Sequence, residues 1–275
     1  MPPEQQHPQP EYLKAGYVSE RLAAEGQEHL HQSVGRAMVS ALLAGAFVTF
    51  GALLSVLLST GVETEGVTLL IQGLAFAVGY YFVALAGVAL FTEANVSLPD
   101  VLLQCHKRPA HLTRFWVLTF LFNFLGAFAV GWMVYLAQDY APETQATLEE
   151  IVDAKMAYQQ RGGVGSWFAV VLSAMLANWM VGLAFFFAAM AQNVWSKFVP
   201  LALAVLLFEA ANFQHSPANM AFFSLAMPGG GGPGWADAIW WNIAPAAIGN
   251  ILGGALLVAV PFWYAVRNHQ SGERQ

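Results

Sequence analysis

The sequence predicts an all-α integral membrane protein whose six spans form two three-helix halves of opposite topology. Three observations carry this. Of 275 residues, 57% are hydrophobic and only 10% charged, where a soluble domain carries about a quarter charged residues; the mean hydropathy is +0.52. Five uncharged stretches are each long enough to cross a bilayer, and a sixth is apolar at both ends and polar in its middle. Short sequences of the first half recur in the second. The composition argues against a soluble enzyme, because too few polar side chains remain to cover a globule of this size. With 11 Lys+Arg against 17 Asp+Glu, no phosphate-neutralising surface for nucleic acid is available. One cysteine, Cys105, excludes an internal disulfide and a multi-cysteine metal site.

Residues 1–35 are polar and open on a Pro/Gln-rich stretch. No apolar segment follows a basic start, so no cleavable signal peptide is expected. Residues 12–32 read as a helix charged on most faces, lying along the membrane surface or free in solvent. After Arg36 the character changes. Residues 37–59 carry no charge and are long enough to span a hydrocarbon core, which takes about 20 apolar residues. Residues 67–90, 115–137, 164–191 and 238–265 repeat the pattern, and residues 198–227 form the interrupted fifth span. The expected organisation is a cytoplasmic amino-terminal segment over residues 1–35, a membrane domain over 36–266 and a cytoplasmic tail over 267–275. With the amino terminus inside, the inner segments hold nine Lys and Arg and the outer segments only Lys155 and Arg161, which predicts both termini in the cytoplasm. Trp116, Trp132, Trp240, Trp241 and Trp263 near the ends of spans three and six suit interfacial belts.

The halves resemble each other. Ser40-Ala-Leu-Leu-Ala-Gly45 in span one is answered by Ser173-Ala-Met-Leu-Ala-Asn178 in span four. Asn123-Phe-Leu-Gly126 in span three is answered by Asn250-Ile-Leu-Gly253 in span six, at nearly the same offset along the chain. Three spans is an odd number, so the halves must be inverted, and inverted repeats place a substrate site near the midplane at interrupted helices.

Two interruptions stand out. Span two is followed by Phe91-Thr92-Glu93-Ala94-Asn95 and a short apolar piece over residues 97–105. Span five breaks over residues 209–219, which hold Glu209, Asn212, Gln214, His215, Ser216, Pro217 and Asn219. The separation of Thr92 from His215 is close to the repeat offset. Pro217 biases Ser216 away from helix but fits the first turn of a new half-helix. The amino-terminal amides of that half-helix would point at His215, and such an end favours an anion. Polar groups inside a membrane mostly mark pathways, against the alternative of a satisfied structural histidine. Glu93 and Glu209 are too costly to face lipid, so they line a pore or serve as structural hydrogen-bonding groups. Asn123 and Asn250 read as helix-packing residues. Glu25, Glu28, His29 and His31 read as a solvated helical face rather than a metal site. No paired nucleophile and base, metal-ligand spacing or phosphate loop is present, so neither an enzyme nor a cofactor is expected.

Leu90-Phe91-Thr92-Glu93 and His215-Ser216-Pro217-Ala218-Asn219-Met220, set in six spans, resemble the formate/nitrite transporter family over about residues 20–268. Residues 104–114 and 246–254 are most similar to its YfdC-like branch. The resemblance implies an aquaporin-like protomer with helices two and five broken, one pore per protomer, and a homopentamer. It implies that Thr92 is the family's loop threonine, His215 its central histidine and Asn178 the asparagine near it, with Asn219 in the motif. Phe76, Tyr80, Leu90, Phe91 and Phe208 would form the hydrophobic slits. This chain departs from the pattern in four places: Tyr80 replaces an aliphatic residue, Gln214 the acidic residue of some members and Glu209 an apolar one, while the position of the family's vestibule lysine falls near Gly162, with Arg161 as a candidate substitute. The implied function is passive or proton-coupled transport of a small monovalent anion such as formate or nitrite across a bacterial inner membrane. The anion would cross the slits as its neutral acid, because bare charges pay heavily there. The alternative is a sodium- or potassium-permeable pore selected by Glu93 and Glu209, and a neutral-solute channel is a further one.

Overall fold

A computed structural model describes residues 15–105 and 109–265, and all the regular elements among them are helices. In chain order they are α1 (Ala15–His31), α2 (Val34–Ser59), α3 (Glu65–Ala86), α4 (Phe91–Cys105) and α5 (Pro109–Ala137). The second half continues with α6 (Pro142–Arg161), α7 (Gly163–Met190), α8 (Val194–Ala210), α9 (Ser216–Ala226) and α10 (Trp235–Ala265). Two π-helical turns, Ile239–Ile243 and Gly253–Ala259, lie within α10. Among the described residues five helices, α2, α3, α5, α7 and α10, are long and apolar enough to cross a membrane. The expected fifth span is divided between α8, of 17 residues, and α9, of 11. The expected tail over 267–275 and the Pro/Gln-rich start of the chain lie outside the described residues.

The amino-terminal helix is docked. Val18 and Leu22 on α1 pack with Val96 of α4, Phe186 of α7 and Val258 of α10. Helix α6 has no counterpart in the sequence reading, which leaves residues 138–163 as an outer loop. Its signals are modest: Pro142 in the first turn, Glu143 beside it and Arg161 in the last turn, each favoured at that end of a helix. The buried side chains are Val152, Lys155 and Met156, whose three- and four-residue spacing forms one face.

The first interruption also lies elsewhere than expected. Residues 91–95 are not the break but the opening turn of α4, and the non-helical stretch precedes them. Gly87, at φ 61°, ends α3 in the left-handed conformation that glycine adopts without a Cβ penalty. Thr92 therefore stands in a first helical turn rather than in a loop.

The two halves are held by the same hydrogen bonds. On α5, Asn123 Nδ2 donates to the carbonyls of Ala41 (2.7 Å) and Ala89 (3.1 Å), while its Oδ1 accepts the Phe91 amide (2.8 Å). On α10, Asn250 Nδ2 donates to the carbonyls of Ala174 (2.9 Å) and Gln214 (3.2 Å), and its Oδ1 accepts the Ser216 amide (2.8 Å). Ser40 Oγ accepts the Ala89 amide at 2.9 Å, and Ser173 Oγ accepts the Gln214 amide at 3.1 Å. Asn123 and Asn250 are thus packing residues, and each fastens the start of a half-helix to two neighbours. The equivalences Ala89 with Gln214 and Phe91 with Ser216 pair His215 with Leu90, not with Thr92; the expected match is two residues out of register.

Glycines permit the close crossings this requires. A Cβ at Gly126 would collide with the Leu42 carbonyl across α2 and α5, and one at Gly253 with the Met175 carbonyl across α7 and α10. Gly126→Val is expected to destabilise the protein by roughly 1–3 kcal/mol or more through overpacking, read as a lowered melting temperature in detergent. Gly66→Ala, where a Cβ meets nothing within 4 Å, is the matched control and should cost nothing.

Candidate functional site

The second interruption builds the site. Residues 211–215 leave α8, turn at Asn212 (φ 50°) and enter α9, whose first turn contains Pro217. Asn212 holds this turn to α6 by donating to the Ala154 carbonyl at 3.0 Å. His215 is the residue that caps α9: its Nδ1 accepts the Ala218 amide at 3.3 Å. An accepting Nδ1 leaves the proton of the neutral ring on Nε2. The Tyr80 hydroxyl of α3 lies 2.9 Å from Nδ1 and 3.3 Å from Nε2.

Aromatic rings surround this imidazole. Phe208 lies 5.2 Å from it, centroid to centroid, and Tyr80 5.6 Å. Phe76 joins both, at 5.6 Å from Tyr80 and 6.1 Å from Phe208, and stacks on Phe222 at 5.5 Å with 14° between planes. All four rings are fully buried, and Leu90 belongs to the same cluster. Phe91 packs edge-on against Phe120 instead, at 5.2 Å.

Beyond Phe222 lies the residue that sequence reasoning passed over. Lys155 Nζ stands 4.9 Å from the Phe222 ring centre and 3.4 Å from Glu209 Oε1, and the residue is 1% exposed. Glu209 is 8% exposed, and its Oε2 has no hydrogen-bond partner among the described residues. Arg161, the expected substitute for the vestibule lysine, lies exposed over the Tyr158 ring at 4.5 Å. The only sequence signal for Lys155 was its place on the buried face of α6.

The remaining candidates bond within the protein, while Asn178 Oδ1 and Asn219 Oδ1 stay buried without a partner among the described residues. Gln214 Oε1 accepts from Asn219 (3.0 Å) and Asn242 (2.8 Å), and Asn242 also donates to the Lys155 carbonyl at 2.8 Å. That network ties the backbone of α6 at Lys155 to α10 and to the turn before α9. Asn178 Nδ2 donates to the carbonyls of Asn250 (2.6 Å) and Thr92 (3.3 Å), so one amide joins the start of α4 to the residue of α10 that fastens the start of α9. Gly45 holds the equivalent position in the first half, where a Cβ would meet the Asn123 carbonyl. The Thr92 hydroxyl is buried without a partner among the described residues, and Tyr80, not Thr92, contacts the imidazole. Glu93 faces α1, with Oε2 3.7 Å from His29 Nε2. The two carboxylates thus have separate partners on separate helices. A cavity of about 410 Å³ beneath α1 is lined by Arg21, Glu25, His29, Arg36, Glu93 and Lys197.

Comparison with known proteins settles the family. The family description "Formate/nitrite transporter" matches residues 17–264. The chain belongs to the formate/nitrite transporter family. This is a family of transporters and channels rather than enzymes. The chain is 31% identical to the "Probable formate transporter" of Methanothermobacter thermautotrophicus, covering 84% of this chain and 89% of the relative. Its fold is similar to that of a solved "FNT family ion channel", with a TM-score of 0.77, 22% identity, and coverage of 91% of this chain and 98% of that one. A solved "Pentameric formate channel with formate bound" superposes with a TM-score of 0.70 at 21% identity, covering 86% and 97%. The formate/nitrite transporter fold therefore accounts for nearly every helix described above, and its five apolar helices make the chain an integral membrane protein.

Proposed function

We propose that this chain carries small monovalent anions, formate or nitrite in type, through a pore in each protomer of a homopentamer. In this reading the protomer has six spans in two inverted halves, with α8 and α9 together as the fifth. The protein lies in a bacterial inner membrane with both termini cytoplasmic, so that α6 is on the outer side, residues 1–35 form a cytoplasmic appendage and residues 267–275 a cytoplasmic tail. The observation that carries the reading is the buried ammonium of Lys155 beside the ring cluster that encloses His215.

An arriving anion meets Lys155 first, where low dielectric strengthens the attraction. Phe76, Tyr80, Phe208 and Phe222 exclude its hydration shell. A bare anion cannot follow, so passage requires neutralisation, and His215 is the group placed to relay that proton. Tyr80 orients the imidazole. Asn178 and Asn219 position the backbone around the pore rather than touch substrate, and Leu90 and Phe91 close its inner side next to the unpartnered Thr92 hydroxyl. The cation-permeable reading gains nothing from this arrangement, since Lys155 balances Glu209 and His29 faces Glu93.

The test is the reversal potential in a planar bilayer under an asymmetric sodium formate gradient. A shift toward the anion equilibrium potential is expected, and a shift toward the sodium potential would overturn the assignment. Within the same assay, His215→Ala should change the pH dependence of flux while assembly is preserved. Flux unchanged at every pH would remove His215 from the relay.

A further inference from the structure

We propose that Glu209 is a specificity-determining residue, a built-in competitor whose carboxylate occupies Lys155 in the empty pore and is displaced there by an entering small monovalent anion. This rests on the anion-transport reading above and extends it to how the ligand is selected and released.

Three features of the pair support the exchange. First, the carboxylate is incompletely bonded: Oε1 lies 3.4 Å from Lys155 Nζ, and Oε2 is buried with no hydrogen-bond partner among the described residues. Buried carboxylates kept for structure satisfy both oxygens, because each unpaired one is costly. Second, an ammonium has three donors, and among the described residues Lys155 Nζ gives one hydrogen bond, to Glu209, and also lies over the Phe222 ring. Donor capacity is therefore free beside an acceptor that is already carboxylate-shaped. Third, the pair adjoins the constriction directly, since Phe208 precedes Glu209 in α8 and Phe222 links Lys155 to Phe76. The charged and titratable groups facing Glu209 are Lys155 from α6 and Tyr80 from α3.

The consequence is selection by charge and size. The empty site is neutral as a pair, so an anion gains only what Glu209 gives up. A monocarboxylate or nitrite takes the place of Glu209 as acceptor and leaves one negative charge in excess over Lys155, whereas an anion carrying two charges leaves two, at a correspondingly higher cost in a buried site. The competition also weakens binding, which a conducting site needs if the ligand is to leave.

The experiment is calorimetric titration of the purified protein with sodium formate at neutral pH, alongside formate current in planar bilayers. Glu209→Gln keeps the shape and removes the competing charge. It is expected to bind formate on the order of tenfold more tightly and to saturate current at a correspondingly lower concentration. Glu209→Asp, whose carboxylate is one methylene short of the ammonium, should show a smaller gain and serves if the glutamine variant does not assemble. Formate current with unchanged affinity in both variants would overturn the exchange alone. Tighter binding in the variants without current in any protein would uphold the exchange and overturn the transport reading, and no binding in any protein would overturn both.

Discussion

Lys155→Met should reduce formate current by roughly 100-fold, the scale of removing one preorganised charge from a desolvated site. The same change strips Glu209 of its partner. A buried ion pair broken on one side costs about 3–5 kcal/mol, because the remaining charge is left uncompensated, so the single variant should also melt at a lower temperature. The double variant Lys155→Met with Glu209→Leu separates the two effects. It replaces the pair with apolar groups, which often restores stability, and should assemble normally while still failing to conduct anions. Recovery of current in the double variant would reduce Lys155 to a structural anchor for α6.

Asn250→Ala is expected to be the most damaging single change to the fold. It removes the acceptor for the Ser216 amide and the donor to the Ala174 and Gln214 carbonyls, all in a region without solvent access. Each buried polar group left unpaired costs about 1–3 kcal/mol, so the total is comparable with the stability of a whole domain. The expected result is loss of the folded assembly in size-exclusion chromatography. Asn250→Asp retains the acceptor oxygens and loses only the donors, and should fall between the two. Asn123→Ala tests the matching fastening in the first half, and a wild-type melting temperature in both alanine variants would refute the account.

The sequence displayed the spans plainly, because an uncharged apolar run long enough to cross the hydrocarbon core has one stable place. It also displayed both fastenings: Asn123 and Asn250 sit in recurring motifs, and the structure gives them the same bonds. The register of the interruptions was harder. Offsets measured on continuous helices do not carry across breaks of different length, so Thr92 was set against His215 where Leu90 belongs. Helix α6 was hidden for a different reason. Its hydrophobic face is narrow and includes a lysine, and a count of charges by side of the membrane treats Lys155 as one more loop cation. Only the packing of α6 against the turn at 211–215, made by Asn212 and Asn242, reveals that this cation is buried. The contact of Tyr80 with His215 joins residues far apart in the chain, and no local pattern encodes it.

The amide of Asn178 has a mechanical consequence. It ties the carbonyl at the start of α4 to the carbonyl of Asn250, which in turn holds the start of α9. A displacement of α4 therefore pulls on the fastening of the opposite half. The reverse linkage is missing, since Gly45 stands where Asn178 stands and has no side chain to reach across. A scaffold with two similar halves thus carries one cross-tie where its symmetry would place two, and a strain applied at either end of that tie is felt equally at the other.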